Sequence, residues 1–291
     1  MQRTNTYVAA TRPPSEPMPR NACDCQIHVY GDRAKYPIRV AKPLYDPPDA
    51  TLEHSQRMHR TLGVDRVVIV QASVYKTDHS LLVDALQRVP RDRYRGIAII
   101  DESVTDAELL RLHEAGVRGA RFNFWKALGL DLDLQSFRRS LDRIREYGWH
   151  AKIFFTPEQL VELHEEFTKI RIPAVIDHMG QLEFSKGLEQ PAARLLLGLL
   201  AKENWWMMLS NADRWSASNA PPWSDAVPFA RACYELAPDR CIWSTDWPHV
   251  NYEKPMPNDA DLVELLYRYF PDREARQKVL VDNPARLYGF P

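Results

Sequence analysis

The sequence predicts an α/β protein folded as a single-domain (β/α)8 TIM barrel. Two observations carry this. Eight short β-rich runs alternate with helical patterns along the chain, and polar or ionisable residues gather where those runs end, while their interiors are Val, Ile, Ala and Phe. Strand–helix alternation implies right-handed βαβ units and a parallel sheet. Eight such units in about 270 residues fit a closed barrel, whose functional residues lie at the C-terminal ends of the strands. The competing doubly wound sheet usually has a glycine-rich phosphate turn after its first strand. No G-x-G-x-x-G, Walker loop or G-x-S-x-G elbow occurs.

Residues 1–20 read as an irregular arm rich in Pro, Arg, Ser and Thr, without the apolar core of a signal peptide. Residues 21–291 form the barrel domain. The strand candidates are 23–30, 65–73, 94–101, 117–124, 149–155, 173–180, 205–211 and 240–248. Among the helices, 49–63 starts at Asp or Thr and stops at Gly63. The segment 105–116 has a Thr cap, apolar residues at i, i+3 and i+4, and a closing glycine. Pro157 opens the helix 157–170, and 259–270 and 272–290 close the chain.

The first strand, "CDCQIHVY", places Asp24, Gln26 and His28 on one face. At the usual rise Gln26 and His28 are about 6.6 Å apart along the strand, both aimed into the mouth, with Asp24 one layer below. The other strands end in Gln71 and Ser73, Arg121 and Asn123, Asp177 and His178, Asn211 and Arg214, and Asp246 and His249. His28, His178 and Asp246, on strands 1, 6 and 8, form the candidate catalytic group. The remaining histidines fall on helices, in loops or at strand starts and read as packing or surface residues. Trp215 and Trp223 read as exposed residues of the loop after strand 7.

Composition narrows the partners. The chain of 291 residues is 45% hydrophobic and 26% charged with a formal net charge of −1. No run of Lys or Arg is long enough to suggest nucleic acid or a membrane surface. No stretch approaches 18 apolar residues, so a cytoplasmic protein is expected. Cys23, Cys25, Cys233 and Cys241 have neither metal nor disulfide spacing and read as reduced core residues. A homo-oligomer is compatible with all of this.

The D-x-[HQ]-x-H pattern at Asp24–His28, the "DH" at Asp177–His178 and the "TDWPH" at Thr245–His249 resemble the amidohydrolase superfamily. The likeness is closer to its lactone-acting branch, whose best-known member is 2-pyrone-4,6-dicarboxylate lactonase. "YDPPDATLEH", "AGVRGARFNFWK" and "LVDNPARLYGF" are similar to that branch too. Two positions depart from it: Gln26 stands where the lactonase has His, and Ala127 where it has Arg.

The resemblance implies hydrolysis of a small anionic lactone. Asp246 would be the general base for water, with His28, His178 and the Gln26 amide donating to the carbonyl oxygen. Arg121 and Arg214 would grip a substrate anion, and Tyr45, Ser73 and Asn123 would add hydrogen bonds. His249 would orient Asp246 or stand behind it. No cofactor is expected, since a neutral amide is a weaker zinc ligand than imidazole. Zinc on His28, His178 and Asp246 is the alternative. A lactone isomerase or a metal-dependent decarboxylase on the same barrel is the alternative activity.

Overall fold

In the computed structural model, which describes residues 7–130 and 132–291, eight parallel strands follow one another around a single sheet in chain order. They are β1 (Cys23–Ile27), β2 (Arg66–Val70), β3 (Tyr94–Ile99), β4 (Val117–Asn123), β5 (His150–Phe154), β6 (Ala174–Ile176), β7 (Trp205–Leu209) and β8 (Cys241–Trp243). Each lies inside the run expected from the sequence. The ring closes just beyond the strand ends, where His28 N donates to Trp247 O (2.8 Å) and Asp246 N to Gln26 O (3.1 Å).

The main helices are α1 (Leu52–Leu62), α2 (Ser80–Gln87), α3 (Asp106–Ala115), α4 (Leu134–Arg145), α5 (Pro157–Phe167), α6 (Pro191–Leu200), α7 (Ala212–Trp215), α8 (Val227–Leu236) and α9 (Asp259–Tyr269). Their starts follow side-chain chemistry: Thr105 accepts from Glu108 N, Asp133 from Ser136 N, and Thr156 from Gln159 N ahead of Pro157. Each occupies a backbone donor that the helix itself cannot satisfy. Gly63 and Gly116 end α1 and α3 in the left-handed conformation that glycine adopts at no steric cost. No helix among the described residues is long and apolar enough to cross a membrane.

The core has two layers. Residues facing the helices, such as Val67, Ile69, Ala98, Ala120 and Ile176, pack against the helices' apolar stripes. Inside the barrel, Cys23, Cys25, Val68, Ile97, Val175, Met208 and Ile242 fill the axis. All four cysteines are buried and free. Tyr288 and Phe290 close the N-terminal end, with Arg66 and Arg95 stacked over the Phe290 ring at 5.3 and 4.7 Å. Residues 7–20 contain no helix or strand and lie along α9, through Arg12–Asp261 and Ser15–Glu264. Residues 1–6 of the expected arm lie outside the described residues.

Strand β1 differs from the expected phase. The β1–β2 register shifts between Asp24 and Ile27, the mark of a bulge. Cys23 and Cys25 therefore face the axis, and Asp24 turns to the helix side. There its carboxylate accepts from Thr245 N (3.0 Å) and Thr245 Oγ1 (2.6 Å) and meets His59 of α1 (3.1 Å). After the bulge Gln26 and His28 return to the axis. Asp24 is a clamp on the segment after β8, not a lower layer of the mouth.

Candidate active site

The hydrogen bonds that close the barrel bring Gln26 and His28 beside Asp246. Asp246, Asn211 and His178 all have positive φ, at 61°, 59° and 50°. Asp, Asn and His tolerate this region better than most residues, yet it still costs energy, and such strain concentrates at functional sites.

Asp246 is the hub. Its Oδ1 accepts from Gln26 Nε2 at 2.9 Å and its Oδ2 from Asn211 Nδ2 at 3.0 Å. His28 Nε2 and His178 Nε2 lie 3.5 and 3.7 Å from Oδ1. Burial alone would raise the acid's pKa. The imidazoles of His178 and His28 and the Arg214 guanidinium outweigh it and hold Asp246 well below the usual carboxylate range.

The partners fix the tautomers. His28 Nδ1 faces the Val70 carbonyl at 2.8 Å and donates to it, which turns Nε2 toward the cavity. Gln26 Nε2 lies 3.0 Å from His178 Nε2 as well as against Asp246. A carboxylate only accepts, so the amide nitrogen points this way and His178 Nε2 accepts too. The His178 proton sits on Nδ1, facing Ser210 Oγ at 2.8 Å. Burial brings the His178 pKa down to about 4, against the pull of Asp177 and Asp246.

This arrangement differs from the expected trio of donors. Gln26 is fully buried and both its amide hydrogens are engaged by Asp246 and His178, so it does not line the cavity or reach a carbonyl. It orients the acid and the imidazole instead.

Beneath them lies a buried charge cluster. Asp177 Oδ2 pairs with Arg121 Nη2 at 2.8 Å and Oδ1 with Lys152 Nζ at 3.2 Å, with almost no solvent exposure. Burial opposes the ionised acid, but His178, Lys152 and Arg121 together hold the Asp177 pKa below normal. Sequence reasoning named Arg121 and Asp177 but missed Lys152. The available signal was a lysine on the inward phase of an otherwise apolar strand, "WHAKIFF".

Above the hub opens a cavity of about 390 Å³. His28, His178, Asp246, Tyr45, Ser73, Arg121 and Arg214 line it, so seven of the ten expected site residues converge. Burial raises the Tyr45 pKa to about 12, and its hydroxyl meets Tyr30 OH at 2.8 Å. Asn123 stands behind the wall and donates to Ser73 Oγ at 3.1 Å, which leaves the Ser73 proton for a ligand. Arg214 donates to Asn251 O and Val250 O, both at 2.7 Å, and faces the Tyr252 ring. His249 does not reach the Asp246 carboxylate. Its Nε2 lies 3.0 Å from Asp259, which ties the loop after β8 to the start of α9. Trp215 lines the cavity and Trp223 is buried, so neither is the exposed loop residue that the sequence suggests.

A metal ion fits these residues poorly. Gln26 turns N–H groups, not lone pairs, toward Asp246 Oδ1 and His178 Nε2, the atoms that would have to ligate it. Lys152 and Arg121 place two cations directly behind. No group of three or more potential ligands has metal-binding geometry among the described residues.

Comparison with known proteins places this geometry in context. The family model for amidohydrolases matches residues 23–290. The chain is 39% identical over 284 residues to a 4-sulfomuconolactone hydrolase from Rhizobium radiobacter, covering 97% of this chain and 94% of the relative. It is 37% identical over 286 residues to a 2-pyrone-4,6-dicarboxylate hydrolase from Comamonas testosteroni, covering 94% and 93%. A D-galactarolactone isomerase from Agrobacterium fabrum is 30% identical over 281 residues, covering 94% and 93%. A crystal structure from Agrobacterium tumefaciens superposes with a TM-score of 0.84 at 29% identity, covering 96% of this chain and 99% of that one.

Proposed function

This chain belongs to the amidohydrolase family, and on that premise we propose that it hydrolyses a small anionic lactone. The observation that carries the reading is the meeting of His28, His178 and Asp246 around one carboxylate oxygen, at the floor of a cavity whose wall holds Arg214 and Ser73. The named relatives, two lactone hydrolases and a lactone isomerase, support the substrate class.

Water would stand over Asp246 and give it a proton while its oxygen bonds to the lactone carbonyl carbon. Arg121, whose Nη1 lies 3.5 Å from His28 Nε2, and the Ser73 hydroxyl would donate to the carbonyl oxygen as it gains charge. His28 Nε2, 3.5 Å from Asp246, would take over the proton and pass it to the ring oxygen as the acyl C–O bond breaks. The product is a hydroxy acid, which ionises and releases one proton. A lactone has a better leaving group than an amide, so this route needs no metal. The donor orientation of Gln26 supports that reading.

Lactone opening followed by proton release in ¹⁸O-water tests it. Hydrolysis places one label in the new carboxylate. Turnover that yields an unlabelled isomeric lactone would favour the isomerase. Dialysis against a strong chelator leaves the rate unchanged on this reading, and loss restored by zinc would overturn its metal-free part.

A further inference from the structure

The cavity's charges say how many anionic groups the substrate carries, an inference that rests on the lactone-hydrolase reading. Three cations line the cavity. Arg121 is committed to Asp177 in a buried ion pair. Lys254 has its ammonium on the carbonyls of Ser216, Asp213 and Ser218 at 2.5, 3.2 and 3.4 Å, which accounts for its three protons. Arg214 is in no ion pair among the described residues. Two of its five donors hold the loop carbonyls of Val250 and Asn251, and its buried Nε has no partner. At the rim Glu253 also lines the cavity and is exposed, without an ion-pair partner among the described residues. The rest of the wall is largely apolar: Leu44, Trp125, Leu128, Phe154 and Val250.

We propose that the site selects a lactone with a single anionic group, held by Arg214, whose remaining surface is uncharged and lies on the Leu44–Trp125–Leu128 side. One free guanidinium balances one anion. A second anion would meet apolar wall or the Glu253 carboxylate, and an unpaired charge at such a wall is costly.

The test compares kcat/KM for three probes: muconolactone, with one carboxylate; 4-sulfomuconolactone, with a second anion; and muconolactone methyl ester, with none, followed by ring opening in NMR spectra. Muconolactone is expected to exceed both others by about tenfold or more, the discrimination that about 1.4 kcal/mol of lost pairing gives. A smaller ratio to either overturns the inference while leaving a lactone hydrolase standing. Opening of none of the three sinks the hydrolase reading and this inference with it. Glu253→Gln, an exposed change that leaves the fold intact, should narrow the gap between muconolactone and 4-sulfomuconolactone. An unchanged gap removes the repulsion on which the inference stands.

Discussion

The two ends of the barrel carry backbone strain unequally. At the N-terminal end, where the chain enters the strands, glycine takes most positive-φ positions, Gly63 before β2, Gly116 before β4 and Gly148 before β5, with Asn21 before β1 the exception. At the C-terminal end Gly129, Gly180 and Gly187 take some of them, but most fall to residues with side chains: Lys76, His178, Met179, Gln181, Asn211, Asp246, His249 and Asn251. Glycine accepts this conformation freely, whereas other residues pay for it in strain. The floor is therefore relaxed and plugged, with the Arg95 guanidinium resting on the Tyr288 and Gly289 carbonyls. The mouth keeps strained residues because their side chains have work that glycine cannot do. Conservative changes at the mouth should thus reduce turnover and spare the fold, and changes in the charge layer between the ends should lower both turnover and stability.

The sharpest way to break this contrast is Asp246→Asn. The amide keeps the shape and the tolerance of positive φ but cannot take a proton. Turnover should fall by about three orders of magnitude, while the thermal midpoint stays close to the parent's or rises. Single-turnover kinetics and a melting curve on the same preparation check both halves. A large loss of stability with modest loss of rate would mean that Asp246 is a structural residue.

Lys152→Met probes the layer between. It leaves Asp177 buried with Arg121 as its one remaining cation, and removing a partner from a buried pair costs about 3 kcal/mol. Urea unfolding should show that loss. Turnover should fall less than in Asp246→Asn, because Lys152 touches neither the cavity nor Asp246.

The same contrast explains what was legible in the sequence. Strand periodicity and helix caps are local signals, and they located all eight strands and the convergence of His28, His178 and Asp246. The phase of β1 was not legible. One bulge between Asp24 and Ile27 reverses which residues face the axis, and nothing in "CDCQIHVY" marks it. Gln26 was read as a substrate contact because a polar residue on the inner face suggests a ligand. Its role depends on which acceptors flank it, residues 178 and 246, far along the chain. Arg214 shows the same limit: its type suggested an anion site, but the carbonyls that hold two of its donors come from a different loop. Residue identity gave the chemistry, and tertiary partners gave the role.

The smallest expected effect compares the ends through one residue type. His150 sits in the floor, edge-on to Tyr288, and His178 at the mouth. Burial lowers both pKa values from 6.5, His150 to about 3 with help from the Lys152 charge, and His178 to about 4. Between those values and 6.5 the unfolded chain binds the proton and the folded one does not, so stability is full above pH 6.5 and falls as pH drops through this window. Each histidine should contribute about 1.4 kcal/mol per pH unit there. His249, whose pKa is raised because Asp259 outweighs its burial, acts only above 6.5 and adds no slope in the window. The urea midpoint measured from pH 6.5 to 4.5 should therefore decline steadily, and His150→Gln should remove about half the slope. His178→Asn should remove the other half together with activity. A slope that survives both changes would place the acid sensitivity in the carboxylates Asp177 and Asp246. Their lowered pKa values otherwise defer their own losses to still lower pH.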